Sequence, residues 1–241
     1  MGQREYGASG WVGIGVPQAN PTIEMEMRRF LPSGVEPLTT RLTSSSSTSD
    51  KRLIEYIEQL PIFLTAYDVL PLDAFGFACT GSSYLVGTER ESEILASASA
   101  RFGYPTISAA VAIREAAASI NARRIALLAP YPQHLIDAGV RYWEAAGLEI
   151  VAVQRMDLGS MDTREIYGLS SADAMMALNS FDPGNADAIL MSGTGMPSLY
   201  ALAPAAEMFG RPVLSSNSCL AWALLRELGY NTSPWIAHGT R

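Results

Sequence analysis

The chain has 241 residues and a formal net charge of −7, an acidity that argues against nucleic acid as a partner. Its 48% hydrophobic and 17% charged residues are typical of a soluble globular protein with one large or two small domains. No apolar run reaches the roughly 20 residues of a membrane-spanning helix, so no membrane association is expected. The only two cysteines, Cys79 and Cys219, indicate a reducing cytoplasm instead of a disulfide framework.

The first half of the chain alternates short apolar runs with helical patterns, as in a parallel sheet covered by helices. The predicted order is strand 11–16, helix 22–31, strand 36–42, helix 51–67, the strand that ends at Cys79, helix 89–102, strand 105–107 and helix 108–120. Residues 43–50, after the second strand, form a Ser/Thr-rich run. We expect this run to be either a flexible surface loop or a lid that closes over a substrate.

The second half follows the same plan. Its predicted order is strand 124–129, helix 133–146, strand 149–154, a loop through 156–162, helix 171–180, the strand that ends at Gly193, helix 197–209, strand 212–215 and helix 218–228. We therefore predict an α/β fold of two pseudo-symmetric domains, each a four-stranded parallel sheet flanked by helices, with the active site in the cleft between them. The expected domains are residues 1–119 and 120–217, with a C-terminal helix in 218–241 that packs back on the first domain.

One stretch, residues 73–85, has a near copy in residues 187–199, and matching positions such as Asp73 and Asp187 are 114 apart. Each copy reads as a short apolar run, a small polar turn and a helix, which is typical of a buried parallel strand that ends over a helix N-terminus. Free backbone N–H groups and the helix dipole suit a carboxylate there, and they favour the thiolate form of a cysteine. The copies differ where Cys79 is matched by Gly193.

Several polar residues are expected to meet at these strand ends. Cys79 is the candidate catalytic residue, against the alternative of a small buried hydrophobic residue. Tyr131, at the end of the fifth strand, would donate a hydrogen bond to an oxyanion, and Asn20 would bind a carboxylate oxygen. Further substrate-binding N–H groups and hydroxyls are expected at Thr80, Gly81, Gly193, Thr194 and Gly195.

Other features argue against a cofactor. His134 and His238 stand alone and no carboxylates cluster at ligand spacing, so no metal is expected. The sequence has neither a Gly-x-Gly-x-x-Gly fingerprint nor a P-loop, so a dinucleotide is not expected either. Cys219 lies at another helix start, and its participation stays open.

Four segments that together span almost the whole chain carry a family resemblance. They are Val16-Pro17-x-x-Asn20-x-Thr22-x-Glu24-x-Glu26, Gly76-Phe77-Ala78-Cys79, Ile125-Ala-Leu-Leu-Ala-Pro130-Tyr131, and Ala188-Ile-Leu-Met-Ser-Gly193-x-x-Met196-Pro197-Ser198-Leu199. The sequence resembles the aspartate/glutamate racemase superfamily, in its maleate isomerase and arylmalonate decarboxylase branch. The resemblance implies two pseudo-symmetric α/β domains, no cofactor, and a cysteine from each domain flanking a planar enolate-like carbon.

The cysteines depart from both patterns that the resemblance implies. Maleate isomerases and racemases use two cysteines, whereas arylmalonate decarboxylases use one, in the second-domain position, with glycine in the first. This chain has Cys79 in the first position and Gly193 in the second, the mirror of the decarboxylase arrangement. Gly193 is either a natural or an engineered residue at this position.

A single thiol sets the expected reaction. The leading hypothesis is a cofactor-free enzyme that decarboxylates a disubstituted malonate through an enediolate, with Cys79 as the proton donor, because decarboxylation needs no base. The alternatives are maleate-type cis–trans isomerisation, racemisation of an amino or hydroxy acid, and a non-catalytic protein that binds carboxylates. The sequence names neither the carboxylate nor the oligomeric state.

Overall fold

The computed structural model describes residues 4–234, and its first half contains one parallel sheet of four strands in the order β2-β1-β3-β4. The elements of this half are β1 (Gly10–Pro17), α1 (Ile23–Phe30), β2 (Val35–Leu42), α2 (Ser49–Glu58), α3 (Leu60–Leu64), β3 (Ala74–Phe77), α4 (Thr80–Phe102), β4 (Thr106–Ser108) and α5 (Ala109–Ser119). A short 3₁₀ turn, Thr65–Tyr67, follows α3. Helices cover both faces of the sheet, so β3 is buried along its whole length.

The second half repeats this arrangement in a sheet of order β6-β5-β7-β8. Its elements are β5 (Arg124–Ala129), α6 (Gln133–Ala145), β6 (Glu149–Arg155), a 3₁₀ turn (Thr163–Gly168), α7 (Ser171–Asn179), β7 (Ala188–Met191), α8 (Leu199–Phe209), β8 (Val213–Ser215) and α9 (Ser216–Glu227). The predicted fold of two four-stranded parallel sheets flanked by helices is confirmed. Within residues 4–234, no helix combines the length and the hydropathy that crossing a bilayer requires.

The sequence repeat is also a repeat of contacts. Asp73 precedes β3, and its Oδ2 atom accepts a hydrogen bond of 2.7 Å from the backbone N–H of Trp11 in β1. Asp187 precedes β7 and accepts one of 2.8 Å from the backbone N–H of Arg124 in β5. The matched aspartates therefore hold the first strand of each half beside the third, which places the ends of β3 and β7 in equivalent positions.

Helix α9 leaves the second sheet and packs against α5, α1 and β3 of the first half. Its first residues, Ser216 and Asn217, are buried and thus lie between the halves. Of the predicted C-terminal helix, residues 235–241 fall outside the described residues. The division into domains 1–119 and 120–217 remains our proposal.

Some predicted helix boundaries are wrong, for identifiable reasons. The predicted helix 51–67 is divided into α2 and α3, because Pro61 has no N–H to continue the first helix and instead suits the first turn of the second. Helix α4 begins at Thr80, well before the predicted 89, and bends at Gly87, whose φ of +78° interrupts the helical pattern. The 3₁₀ turn Thr163–Gly168 was not predicted.

Candidate active site

A small pocket opens where the carboxyl ends of the strands of both halves approach each other. Of the predicted site residues, Asn20, Cys79, Tyr131, Thr194 and Gly195 line it directly, whereas Thr80, Gly81 and Gly193 do not. The remaining lining residues come from β1, α2 and the segment around the second 3₁₀ turn: Pro17, Arg52, Leu53, Tyr56, Thr163, Arg164, Ile166 and Tyr167. The predicted meeting of the two matched turns at one pocket thus agrees with the geometry.

Cys79 lies at the N-cap of α4 and is only 4% exposed. The backbone N–H groups of Gly81 and Ser82 face its sulfur, and Ser82 Oγ lies 3.1 Å from Sγ. These donors lower the pKa of the thiol, but burial outweighs them and raises that pKa above its usual value. The expected tendency toward thiolate is therefore wrong for the free protein, because desolvation of the sulfur exceeds the effect of the helix N-terminus.

Tyr131 is buried beside this thiol. Burial raises the pKa of its phenol well above the usual value, while a hydrogen bond with the Thr80 side chain opposes the shift. Thr80 Oγ1 lies 3.0 Å from Ser216 Oγ, which accepts a hydrogen bond of 3.0 Å from the backbone N–H of Gly193. A neutral phenol held in this way can donate a hydrogen bond to a bound oxyanion.

The turn at residues 193–195 is tied back through its carbonyl groups. Thr22 Oγ1 donates to the Gly195 carbonyl at 2.8 Å, and Asn217 Nδ2 donates to the Thr194 carbonyl at 3.2 Å. Among residues 4–234, the backbone N–H groups of Thr194 and Gly195 have no hydrogen-bond partner. The turn thus has free donors and lines the same pocket as Cys79, and binding of a carboxylate by it remains a prediction.

Asn20 connects the first half to the same turn. Its Oδ1 atom accepts hydrogen bonds from the backbone N–H groups of Thr22 and Ile23, at 2.9 and 3.4 Å, at the start of α1. Its Nδ2 atom donates to Thr194 Oγ1 at 3.3 Å, and that hydroxyl donates to the Ala78 carbonyl at 2.8 Å. Asn20 therefore links the start of α1 to the turn at residues 193–195. Direct contact of Asn20 with a substrate remains a prediction.

Gly193 occupies the position that corresponds to Cys79 in the second half, so the second half has no thiol there. Its φ is +120°, and a Cβ atom built on it would lie 3.3 Å from the Tyr131 hydroxyl oxygen. A side chain at position 193 would thus point at the phenol that lines the pocket. The second half therefore contributes backbone donors in place of a thiol.

Two arginine–tyrosine pairs in the pocket were missed by the sequence analysis. Arg52 of α2 has a side chain only 4% exposed, and it donates to Asp162 at 2.6 Å. Arg164 pairs with the same carboxylate, so a single Asp162 balances two guanidinium groups. Tyr56 and Tyr167 accompany the two arginines, and burial raises the pKa of Tyr56 to about 12.

A signal for these pairs was present in the sequence. The pair Arg52 and Tyr56 follows the second strand of the first half, and the pair Arg164 and Tyr167 follows the second strand of the second half. The two pairs are separated along the chain by almost the same number of residues as the two matched turns. Extending the repeat beyond residues 73–85 and 187–199 would have found them.

The Ser/Thr-rich run is anchored to α2. Ser44 and Ser46 donate to the carboxylate of Glu55, and these bonds lower the pKa of Glu55. At the start of α2, Ser49 Oγ accepts from the backbone N–H of Thr163 at 3.1 Å, which joins the two halves at the pocket. Movement of residues 43–50 as a lid remains a prediction.

Cys219 and His134 do not line the pocket. Cys219 is fully buried in the core and has its pKa raised to about 12 by burial. His134 contacts Asp50 at 3.0 Å, and His238 lies outside the described residues. Within residues 4–234, no three His, Cys, Asp or Glu side chains are grouped to hold a metal.

A sequence profile described as arylmalonate decarboxylase matches residues 27–239. The chain belongs to the arylmalonate decarboxylase family. Among similar proteins, a maleate isomerase from Geobacillus stearothermophilus is 28% identical to this chain over 237 residues, and the match covers 92% of each chain.

Two solved structures share the fold of the chain. A maleate cis-trans isomerase from Nocardia farcinica superposes with a TM-score of 0.81 at 25% identity, covering 91% of this chain and 93% of that one. That structure is of a variant in which one cysteine is replaced by serine, and it carries a covalently bound succinylcysteine intermediate. A structure of arylmalonate decarboxylase superposes with a TM-score of 0.76 at 17% identity, covering 92% and 94%, and so shares the fold. The protein is accordingly an enzyme of the isomerase or decarboxylase type.

Proposed function

We propose that the protein acts on a small dicarboxylate through an enediolate, with Cys79 as its single acid. The observation that carries this proposal is the shared pocket, which is lined by the buried thiol of Cys79, by the phenol of Tyr131 and by Thr194 and Gly195 with their free backbone N–H groups. One substrate carboxylate would lie against those N–H groups. Negative charge that develops on it in the transition state would be stabilised by these fixed donors.

The favoured reaction is decarboxylation of a disubstituted malonate. The bond between the α-carbon and the second carboxylate breaks, carbon dioxide leaves, and the electron pair becomes an enediolate on the remaining carboxylate. Cys79 then gives its proton to the α-carbon, and solvent returns a proton to the thiolate. A thiol that burial keeps protonated is ready for this step, and no second side chain at Gly193 is required.

The direction of proton delivery gives this hypothesis a stereochemical consequence. Family decarboxylases of the usual pattern carry their cysteine in the second-domain position, as the sequence resemblance implies. Protonation from the Cys79 side would therefore give a product of the opposite handedness.

Maleate-type isomerisation is the second candidate. It is favoured by the similarity to maleate isomerases and by Arg52 and Arg164, which line the pocket. The Cys79 thiol would lose its proton to solvent and add to one alkene carbon, and the alkene electron pair would become an enediolate on the adjacent carboxylate. Rotation about the resulting single bond and loss of the sulfur would then give fumarate. The covalent succinylcysteine in the Nocardia farcinica protein shows the corresponding adduct in that relative. Arg52 and Arg164, which share only Asp162, would retain a second carboxylate, as this reaction requires.

Three substrates separate the candidates. The purified protein is incubated with phenylmalonate, maleate or aspartate, and release of carbon dioxide, formation of fumarate and loss of optical rotation are followed. We expect carbon dioxide from phenylmalonate, and no turnover by Cys79→Ala. Fumarate from maleate would replace decarboxylation by isomerisation, and loss of rotation would indicate racemisation. If Cys79→Ala binds these acids normally and the unmodified protein converts none of them, the protein binds carboxylates without catalysis.

A further inference from the structure

A buried carboxylate of the first half occupies the N-terminus of a helix in the second half. Glu26 lies in α1 and is 6% exposed. Its Oε1 atom accepts hydrogen bonds from the backbone N–H groups of Ser198 and Leu199, at 2.6 and 2.8 Å, where α8 begins. Its Oε2 atom accepts from Ser198 Oγ at 2.8 Å and from Asn217 Nδ2 at 2.7 Å.

This contact corrects the expectation that both matched helix N-termini face a substrate. The sequence places Glu26 near the start of α1, where the dipole of its own helix would stabilise its negative charge. In the structure that charge lies against α8 instead. The first free N–H groups of α8 are therefore already used, and only the turn before the helix remains available to a substrate.

Glu26 and its neighbours hold that turn from several directions. Asn217, which Glu26 orients through one N–H, uses its amide to hold the Thr194 carbonyl. Ser198, which binds both oxygens of Glu26, lies three residues beyond Gly195 and fixes the end of the turn. Two of the contacts that hold the turn, at the Thr194 carbonyl and at Ser198, therefore lead back to one carboxylate, beside the separate contact of Thr22 with the Gly195 carbonyl.

We propose that Glu26 is a positioning residue that aims the N–H groups of Thr194 and Gly195 at the substrate carboxylate. The proposal rests on the proposed function, because it assigns Glu26 to the same anion-binding turn. Three of the four partner groups, the two backbone N–H groups and the Asn217 NH₂, can only donate, so the network needs an acceptor at both oxygens. Glutamine has nearly the same shape, but its NH₂ group would face two of these donors and displace Ser198 or Asn217.

Alkylation of Cys79 measures the position of the turn without knowledge of the natural substrate. Iodoacetate and iodoacetamide both form an S–C bond with the thiolate and release iodide, and they differ in having a carboxylate or a neutral amide. The two rate constants are measured at one pH by mass spectrometry, each divided by its value for free cysteine. Their ratio cancels the thiolate fraction and the general accessibility of the pocket, and Cys79→Ala gives the background from Cys219.

We expect the unmodified protein to favour iodoacetate, and Glu26→Gln to lower that preference about tenfold, the effect of losing one well-placed hydrogen bond to a charged group. Glu207→Gln, at the exposed end of α8, removes the same charge and should keep the original ratio. A purely structural role for Glu26 would change both rate constants in parallel and leave their ratio unaltered.

The outcomes separate this proposal from the proposed function. If the unmodified protein shows no preference for iodoacetate, the carboxylate site itself is wrong. If the preference exists and Glu26→Gln retains it, Glu26 is not a positioning residue although the site stands. Should Glu26→Gln fail to fold, Ser198→Ala removes one donor to Glu26 and should lower the ratio by a smaller factor, and an unchanged ratio in that variant would overturn the proposal.

Discussion

Replacing Gly193 with alanine tests the geometry of the second turn. At a φ of +120° the backbone lies outside the left-handed region that L-residues tolerate best, and a residue with a side chain costs about 2–3 kcal/mol there. The added Cβ would lie 3.3 Å from the Tyr131 hydroxyl oxygen, and displacing the phenol from Thr80 loses a hydrogen bond worth about 1 kcal/mol. The expected loss of unfolding free energy is therefore about 3–4 kcal/mol, or roughly 10 °C in Tm for a chain of this size.

Gly103→Ala is the matched control for the backbone contribution. Gly103 has a φ of +78°, near the left-handed region, and nothing within 4 Å of an added Cβ, so its replacement should cost only about 1 kcal/mol. Urea unfolding followed by circular dichroism gives both free energies. If Gly193→Ala is no less stable than Gly103→Ala, the turn and the phenol are not arranged as described. The strain also implies that Gly193→Cys cannot install a second thiol without moving the turn.

Two further predictions concern an arginine that lines the pocket and a thiol that is buried in the core. Arg52→Met should lower about tenfold the preference of Cys79 for alkylation by bromosuccinate over 2-bromobutyrate, because the two reagents differ in a distal carboxylate that arginine binds. The surface variant Arg90→Met should keep that preference. Equal ratios of the two alkylation rates in both variants would remove Arg52 from substrate binding. Because burial raises the pKa of Cys219 to about 12 from 9.0, the native state keeps its proton longer than the unfolded state, so stability present below pH 9 should fall as pH rises toward 12. Urea unfolding of Cys219→Ala should show a weaker decline over that range, and an identical decline would contradict the assignment.

The sequence repeat predicted the architecture and most of the residues around the pocket that we propose as the site. A repeat that includes Asp73, Cys79 and their counterparts Asp187 and Gly193 defines equivalent strand ends, and parallel strands place such ends at one edge of a sheet. The turn donors and Tyr131 followed from the same reasoning. Each of these features depends on local pattern or on the duplication itself.

Contacts between the halves escaped prediction because no local pattern encodes them. Glu26 reads as an ordinary acidic residue in the first turn of α1, yet its hydrogen bonds are to residues 172 positions away and more. Arg52 reads as a solvated helix residue, but it is buried by pairing with Asp162 of the other half. The protonation of Cys79 was likewise mispredicted, since the helix N-terminus can be read from the sequence and the extent of burial cannot.

Turnover by Cys79→Ala, measured beside its binding of phenylacetate, tests the central claim most directly. With whichever of phenylmalonate and maleate the unmodified protein converts, the variant should lose a factor of about 10²–10⁴ in rate, the usual contribution of a positioned proton donor. Its affinity for phenylacetate should stay within a few-fold, because the N–H groups of the 193–195 turn do not depend on the sulfur. Turnover by Cys79→Ala at the original rate would contradict the claim that this thiol is the acid of the site.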